Sequence, residues 1–339
     1  MSPALLAGTV LAGAVICACL IRLLRPLLVR YALARPNARS SHTIPTPQGG
    51  GIAVLAAALV VGAGSLALLD GSLLHAFAVP ALAALTTAIL GGVDDIRPLP
   101  ALPRLLVQMA CVAAVVLWAD PAKLLPDAVP AAIERAVLIV AGTWWVNLVN
   151  FMDGIDWITV AEFVPLTGAI ILFGLAGHVS APVAVTAAAL LGGLLGFAPA
   201  NRPVAHLFLG DVGSLPIGVL TGWMLIELAS RGALAAALLL PLYYVADATL
   251  TLLMRLSRGD RVWEAHRSHF YQRARDNGFS VMAVDARVFA LNLALIALAA
   301  LTLLWPAFEM QAAAVATGCA LVGWHLKLFA TPRKPALSN

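Results

Sequence analysis

Charge is what this 339-residue sequence has least of: Asp, Glu, Lys and Arg together make up 11% of it. A soluble domain carries about a quarter. A soluble chain of this length also has no core able to hide the 61% of residues that are apolar. A water-soluble fold is therefore excluded, and lipid is the natural solvent. Cysteine is scarce too. Cys17, Cys19, Cys111 and Cys319 all fall in apolar stretches, without metal-ligand spacing or the pattern of a disulfide framework. They read as small core residues. The basic residues form no soluble patch; they flank apolar segments, so the net charge of +4 is no footing for nucleic acid. No low-complexity run, convincing repeat or separate soluble domain is present.

What is there is one apolar stretch after another. A spanning helix needs about 20 mostly apolar residues. Eleven such spans are predicted, at about 3–24, 50–69, 74–93, 104–118, 132–150, 157–177, 182–199, 213–230, 234–256, 286–305 and 309–328. The fold class is an all-α integral membrane protein, with residues 1–339 as a single polytopic domain. The first stretch reads as a retained helix rather than a signal peptide, because no basic region precedes it. Of the 21 Lys and Arg residues, 18 fall on one set of loops and span ends, and Lys123, Arg135 and Arg231 on the other. The positive-inside rule puts the larger set in the cytoplasm. The N-terminus is then outside and the C-terminus cytoplasmic, with cytoplasmic loops at about 25–49, 94–103, 151–156, 200–212 and 257–285.

Nearly all the reactive side chains fall on that same set of loops. Asp94 and Asp95 follow Gly91-Gly92 at the inner end of the third span. Adjacent carboxylates raise each other's proton affinity unless a cation or donor compensates, and near a membrane they are costlier still. Asn147, Asn150, Asp153 and Asp156 recur every three residues, which on a helix keeps them near one face. Amides and carboxylates are hard oxygen ligands, suited to Mg²⁺ or to sugar hydroxyls. Phe208-Leu209-Gly210-Asp211-Val212-Gly213-Ser214 opens the eighth span, whose first N–H groups suit phosphate oxygens. His266-Arg267-Ser268-His269 lies in the most basic loop, and Arg and His are phosphate donors. The glycine-rich run Ser41 to Gly51 is a weaker signal, read equally well as a flexible loop. Asp247, inside the ninth span, is a functional candidate with Arg255 or the His/Arg loop as partner. Glu162 reads more readily as a snorkelling residue. Trp144, Trp145 and Trp157 read as belt anchors. Metal-ligating acids and amides beside phosphate-binding basic groups point to phosphoryl chemistry on a diphosphate, with a lipid as one substrate.

These motifs together resemble those of the polyprenyl-phosphate N-acetylhexosamine-1-phosphate transferases of glycosyltransferase family 4. The resemblance rests on Val93-Asp94-Asp95, Asn147-x-x-Asn150-x-x-Asp153-Gly154-x-Asp156, Leu209-Gly210-Asp211-x-Gly213-Ser214 and His266-Arg267-Ser268-His269. It runs in order from about residue 40 to 280. It implies a Mg²⁺-dependent enzyme, with Mn²⁺ as a substitute ion. The reaction implied moves a sugar-1-phosphate from a UDP-amino sugar to undecaprenyl phosphate and releases UMP. Asp94, Asp95 and Asp153 would be catalytic, with Asp94 first in line to activate the lipid phosphate. Asn150 and Asp211 would hold the metal. Asn147, Asp156, Phe208, His266, Arg267 and His269 would bind substrate, Phe208 by stacking on uracil. The peptidoglycan member, phospho-N-acetylmuramoyl-pentapeptide transferase, has a three-histidine run where only His266 and His269 stand here, so the likeness is to the branch that starts O-antigen synthesis from UDP-GlcNAc or a deoxy relative. This implies a multi-pass protein of the bacterial inner membrane with its site on the cytoplasmic face, surrounded by bilayer lipid, with a homodimer left open. A peptidoglycan-precursor transferase and a cation-coupled transporter built on Asp94, Asp95 and Asp247 are the rival readings.

Overall fold

The computed structural model describes residues 1–34, 45–119, 123–261 and 266–333. They form a helical bundle with a single two-residue strand pair among the described residues. In chain order the elements are α1 (Pro3–Tyr31), β1 (Leu33–Ala34), β2 (Thr46–Pro47), α2 (Gly51–Asp70), α3 (Leu74–Ile96), α4 (Ala101–Ala119), α5 (Ala131–Met152), α6 (Ile158–Leu175), α7 (Ala181–Phe197), α8 (Asp211–Ser230), α9 (Leu234–Leu239), α10 (Leu242–Ser257), α11 (Phe270–Asp276), α12 (Val281–Leu304) and α13 (Phe308–Ala330). Eight helical stretches among the described residues are long and apolar enough to cross a membrane.

One of these, Gly51–Ile96, is 46 residues long. At 1.5 Å per residue it would reach about 69 Å if straight, more than twice the hydrocarbon thickness. It is in fact α2 and α3 joined by a 3₁₀ turn at Gly71–Leu73. Gly51 at the start of α2 and Gly91 near the end of α3 both lie against the first turn of α8, so the chain reverses at that turn. With α7 and the α9–α10 pair, eleven helical segments answer to the eleven predicted spans. All four cysteines are free, Cys17 and Cys111 buried and Cys19 and Cys319 exposed, so only the first two are core residues.

Three boundaries differ from expectation, each for a physical reason. Helix α1 continues to Tyr31, about 43 Å in all, since Arg22, Arg25 and Arg30 are ordinary helix formers. The ninth span breaks between α9 and α10 at Leu240-Pro241, where proline lacks the N–H that would continue the ladder. The loop predicted at 257–285 contains α11.

Among the eight long apolar stretches α8 is the most enclosed: 83% of its most apolar residues are buried, against 28% for α1. Small residues allow this. A Cβ at Gly218 would stand 2.9 Å from the Val146 Cα, and one at Gly222 3.1 Å from the Trp145 ring. Small residues let membrane helices approach backbone to backbone, where packing drives association. At the first turn of α8 the approach is closest. Gly51 faces Gly213, and a Cβ at Gly91 would collide with the Asp211 carbonyl. The end of α3 is thereby pressed onto the beginning of α8.

Gly91→Ala is expected to lower the thermal midpoint of the detergent-solubilised protein, by an overpacking cost of about 1–3 kcal/mol. Gly64→Ala, where an added Cβ meets nothing within 4 Å, is the control and does not lower the midpoint, since alanine is the better helix former.

Candidate active site

The first N–H groups of a helix have no partner within it. At α8 the partner comes from another helix. Asp95 Oδ1 accepts the Asp211 N–H at 3.0 Å and Asp95 Oδ2 the Val212 N–H at 3.1 Å. The approach requires glycine at 210, which has φ +77° and where a Cβ would lie 2.6 Å from Asp95 Oδ2. Gln48 Nε2 holds the Asp95 carbonyl at 2.7 Å. Both oxygens of Asp95 are thus committed to the α8 backbone. Asp95 thereby positions the start of α8.

Its neighbour Asp94 faces differently. It accepts the Leu99 N–H at 2.6 Å and forms a close ion pair with Arg104 of α4. Arg104 also lies 3.7 Å from Asp211 Oδ2. Asn150, in the last turn of α5, donates from Nδ2 to Asp211 Oδ1 at 2.7 Å and to Ser214 Oγ at 3.0 Å. Three helices therefore bring Asp94, Asn150 and Asp211 around one guanidinium. From the sequence Arg104 counted only toward topology. Its pointer was the short, proline-rich link Arg97–Pro100, which starts α4 beside the acidic end of α3.

Of the remaining Asn/Asp run, the structure brings in one residue. Asp153 caps the C-terminus of α5 and accepts the Thr159 hydroxyl. Burial pushes its carboxyl up to about 7, helped by the charges of Asp95 and Asp156 and opposed by Thr159. Asn147 sits one turn deeper and donates to Gln108 Oε1 at 2.7 Å and to the Thr143 carbonyl at 2.9 Å. Asp156 is buried and accepts the Ala205 N–H at 3.0 Å. These contacts tie Asn147 and Asp156 to the scaffold. Among the tryptophans, the belt-anchor reading is corrected for the buried Trp145. Trp145 is buried and donates to Thr221, and Trp144 donates to Thr249. Trp157 has a left-handed backbone, φ +63°, held by N–H bonds to Asn201 Oδ1 (2.8 Å) and the Ala198 carbonyl (2.6 Å).

The histidine segment reaches the same end of the bundle. Asp247, fully buried in α10, accepts the N–H groups of Phe270 (2.9 Å) and Tyr271 (3.0 Å) at the start of α11. Its partner is thus the His/Arg loop, as one of the two expectations had it. The rings of His266 and His269 are 4.8 Å apart, and Ser268 Oγ lies 2.9 Å from His266 Nδ1. Burial, then the charges of His269 and Arg255, pushes His266 down to about 4, so its ring is neutral at neutral pH. Arg267 pairs with Asp276 at 3.2 Å. His269 stacks on Phe151 with 6.4 Å between ring centroids, and Tyr271 Oη donates to the Phe151 carbonyl at 3.1 Å. Phe151 follows Asn150, so the imidazoles, Asp153 and the Asp94–Arg104–Asp211 group share one end. Phe208 lies at that end, half-buried, its carbonyl accepting the Gly50 N–H at 2.9 Å. Of the glycine-rich run, Gly50 and Gly51 pack against Phe208, Leu209 and Gly213, while Ser41 to Ile44 lie outside the described residues. Glu162 is fully buried against Asn292, at 2.7 Å, and does not snorkel.

Among the described residues no set of three or more His, Cys, Asp or Glu is arranged as a ready metal cage. The donor set still suits a hard cation. Two carboxylates and an amide converge with one arginine between them, and Mg²⁺ is commonly held by one or two carboxylates with substrate phosphates and water.

Asp95→Ala leaves two N–H groups without a partner. Losing a cap of this kind costs about 1–2 kcal/mol, and a lowered thermal midpoint is expected to report it. The pH dependence of Asp153 can be isolated by substitution. Its folded-state proton affinity exceeds that of the unfolded chain, so its contribution to stability falls as pH rises from about 4 to about 7. His266 slopes the other way between about 4 and 6.5. Asp153→Asn is therefore expected to raise the midpoint relative to the parent protein more at pH 8 than at pH 5, and an equal effect at both would refute the assignment.

Comparison with known proteins adds an independent line. The family model described as glycosyl transferase family 4 matches residues 77–229. That stretch holds Asp94, Asp95, Arg104, Asn150, Asp153 and Asp211 but not the histidine segment. A phospho-N-acetylmuramoyl-pentapeptide-transferase of Leuconostoc mesenteroides is 29% identical over 51% of this chain and 59% of its own length. A decaprenyl-phosphate N-acetylglucosaminephosphotransferase of Mycolicibacterium smegmatis is 29% identical over 58% of this chain and 54% of its own. One of the same name from Mycobacterium leprae is 27% identical over 74% and 71%. The chain thus spans between 54% and 62% of the length of the first three relatives it matches. The motifs, the helical membrane fold and these matches agree: residues 77–229 match glycosyl transferase family 4, and the relatives named as transferases of this kind support that family for the chain.

Proposed function

We propose that this protein transfers an N-acetylhexosamine-1-phosphate from a UDP-sugar, UDP-GlcNAc or a deoxy relative, to undecaprenyl phosphate and releases UMP. This would be the first membrane step of O-antigen or related envelope polysaccharide synthesis. The observation that carries the reading is the meeting of two groups at one end of a membrane bundle. One is Asp94, Arg104, Asn150 and Asp211; the other is His266 and His269. The names of the relatives, which are phosphotransferases or transferases of lipid-linked sugar phosphates, point the same way. The excess of Lys and Arg on that side supports a cytoplasmic site in the bacterial inner membrane.

In the reaction an oxygen of the lipid phosphate bonds to the β-phosphorus of the UDP-sugar, and the bond from that phosphorus to the bridging oxygen breaks, leaving UMP. Asp94 sits where it can receive a proton from the lipid phosphate. Arg104, between Asp94 and Asp211, offers a fixed positive charge to a phosphoryl group. Asp153, with its raised proton affinity, holds or yields a proton near neutral pH. His266, neutral, and Arg267 lie beside the diphosphate, and Phe208 stacks on the uracil. Asp211 and Asn150 would hold Mg²⁺, or Mn²⁺ in its place, which when bound offsets the charge developing on the diphosphate. A covalent phospho-sugar on a carboxylate is the two-step alternative to direct attack.

A panel of UDP-sugars, presented with undecaprenyl phosphate and Mg²⁺ to the purified protein, tests class and substrate together by UMP release. UMP and labelled lipid are expected with UDP-GlcNAc or its deoxy relative. Turnover of the muramoyl-pentapeptide nucleotide instead would establish the peptidoglycan reading, and no release from any UDP-sugar would sink the class. Asp211→Asn is expected to reduce turnover by roughly 10²–10³-fold, the scale of losing one charge-stabilising group. The transporter reading is disfavoured because two of the three acids it relies on, Asp94 and Asp95, sit at one end of the bundle rather than at mid-depth, and the third, Asp247, caps the start of α11.

A further inference from the structure

Helix α11 is seven residues long, well short of the roughly 12–15 at which an isolated helix becomes even marginal. Its position must come from elsewhere. At its beginning the anchor is Asp247 of α10. At its end the anchor is the last turn of α13. Asn277, the C-cap of α11, donates from Nδ2 to the Phe329 carbonyl at 2.7 Å. The Asn277 carbonyl in turn accepts the Arg333 N–H at 3.1 Å. Phe279 meets Phe329 edge-on at 5.6 Å, and the Arg333 guanidinium lies over the Phe279 ring at 4.0 Å. Phe329 is in the final turn of its helix, where carbonyls lack intrahelical partners. Asn277 supplies one, so the two helix ends are joined around the buried Phe279 and Phe329 rings.

The joint bears on the site because α11 is a short rod. Its other end carries His269 against Phe151 and Tyr271 against the Phe151 carbonyl. Seven residues make a lever of about 10 Å. Loosening one end tilts the other, and misplacing a group by about 1 Å can cost on the order of 10²-fold.

We propose that Asn277 and the C-terminal turn of α13 form a latch that sets the His266–His269 segment against the end of α5. Asn277 is then a positioning residue for binding the diphosphate of the sugar nucleotide. The ligand named here rests on the function proposed above; the latch itself does not.

The test uses the full-length protein in detergent with two readouts. The first is amide hydrogen exchange over residues 266–276. Asn277→Asp keeps the shape but lacks the amide donor, and it is expected to raise exchange there about fivefold or more, for a lost hydrogen bond worth about 1 kcal/mol. Exchange in α3 and α8 stays as in the parent. The second is UMP release with the UDP-sugar found active: KM rises about tenfold while kcat stays within about twofold. Asn277→Gln, which keeps a donor, recovers part of both. Arg333→Ala, which leaves the Asn277 side chain intact, is the second variant should Asn277→Asp not fold, and it is expected to raise exchange in the same segment. Unchanged exchange over 266–276 in a folded variant overturns the latch. Raised exchange with unchanged KM overturns the positioning role. Should the parent protein turn over no UDP-sugar, the proposed function falls, while the exchange measurement still decides the latch.

Discussion

A carboxylate laid across the first two peptide N–H groups of α8 holds this site together. In lipid a peptide group without a partner costs several kcal/mol, so the bond between Asp95 and the start of α8 is a strong constraint on where α3 ends. Since Asp94 is the residue before Asp95, and Asp211 is the residue whose N–H is capped, the same bond fixes Asp94 relative to Asp211. Arg104 and Asn150 then close around a pair already placed. The glycines at 91 and 210 exist in this arrangement to let the backbones come near enough for the cap to form.

The device recurs. Asp247 takes two N–H groups at the start of α11, Glu134 takes those of Leu124 and Leu125, Glu227 takes that of Ser180, and Asp156 takes that of Ala205. A chain with so few charges uses many of its acids to terminate helices and pin loops. An acid in a membrane span is therefore a poor index of chemistry by itself, and the partner decides. Asp211 meets Asn150 and Arg104, and Asp153 meets Thr159. Those side chains can be displaced or joined by a ligand more readily than a backbone N–H at a helix end can be abandoned.

This distinction explains what the sequence could and could not reveal. Composition and apolar length were enough for eleven segments and for the all-helical membrane class, and the motifs lie where the fold brings polar side chains of several helices together. Roles within a motif were less legible. Asn147 and Asn150 share a helical face, but three residues is about 4.5 Å of rise, enough to put Asn147 beside Gln108 inside the bundle. The three-residue rhythm also stops meaning anything after Met152, where α5 ends. Beyond it the left-handed Trp157 turns the chain, and Asp156 points at the 198–207 loop instead of the site. Asp95 and Asp94 are adjacent in sequence but face different partners, one a helix terminus and the other a guanidinium. Arg104 carried no motif at all; only the fold brings it to the carboxylates.

The site is also built in two halves with different supports. The carboxylates hang on α3, α5 and α8, within the stretch that matches the family model. The imidazoles hang on α10 and α11, with α13 beneath, outside it. Contact between the halves runs through Phe151, whose ring meets His269 and whose carbonyl meets Tyr271, and through Gly154, where a Cβ would strike the Tyr271 hydroxyl. Deeper in the bundle Trp144 of α5 also donates to Thr249 of α10, so the two halves are joined at more than this one place. On the proposed reaction, the rigid half holds the charge at the phosphorus, and the half that meets the rest of the donor rests on spans that can be altered separately.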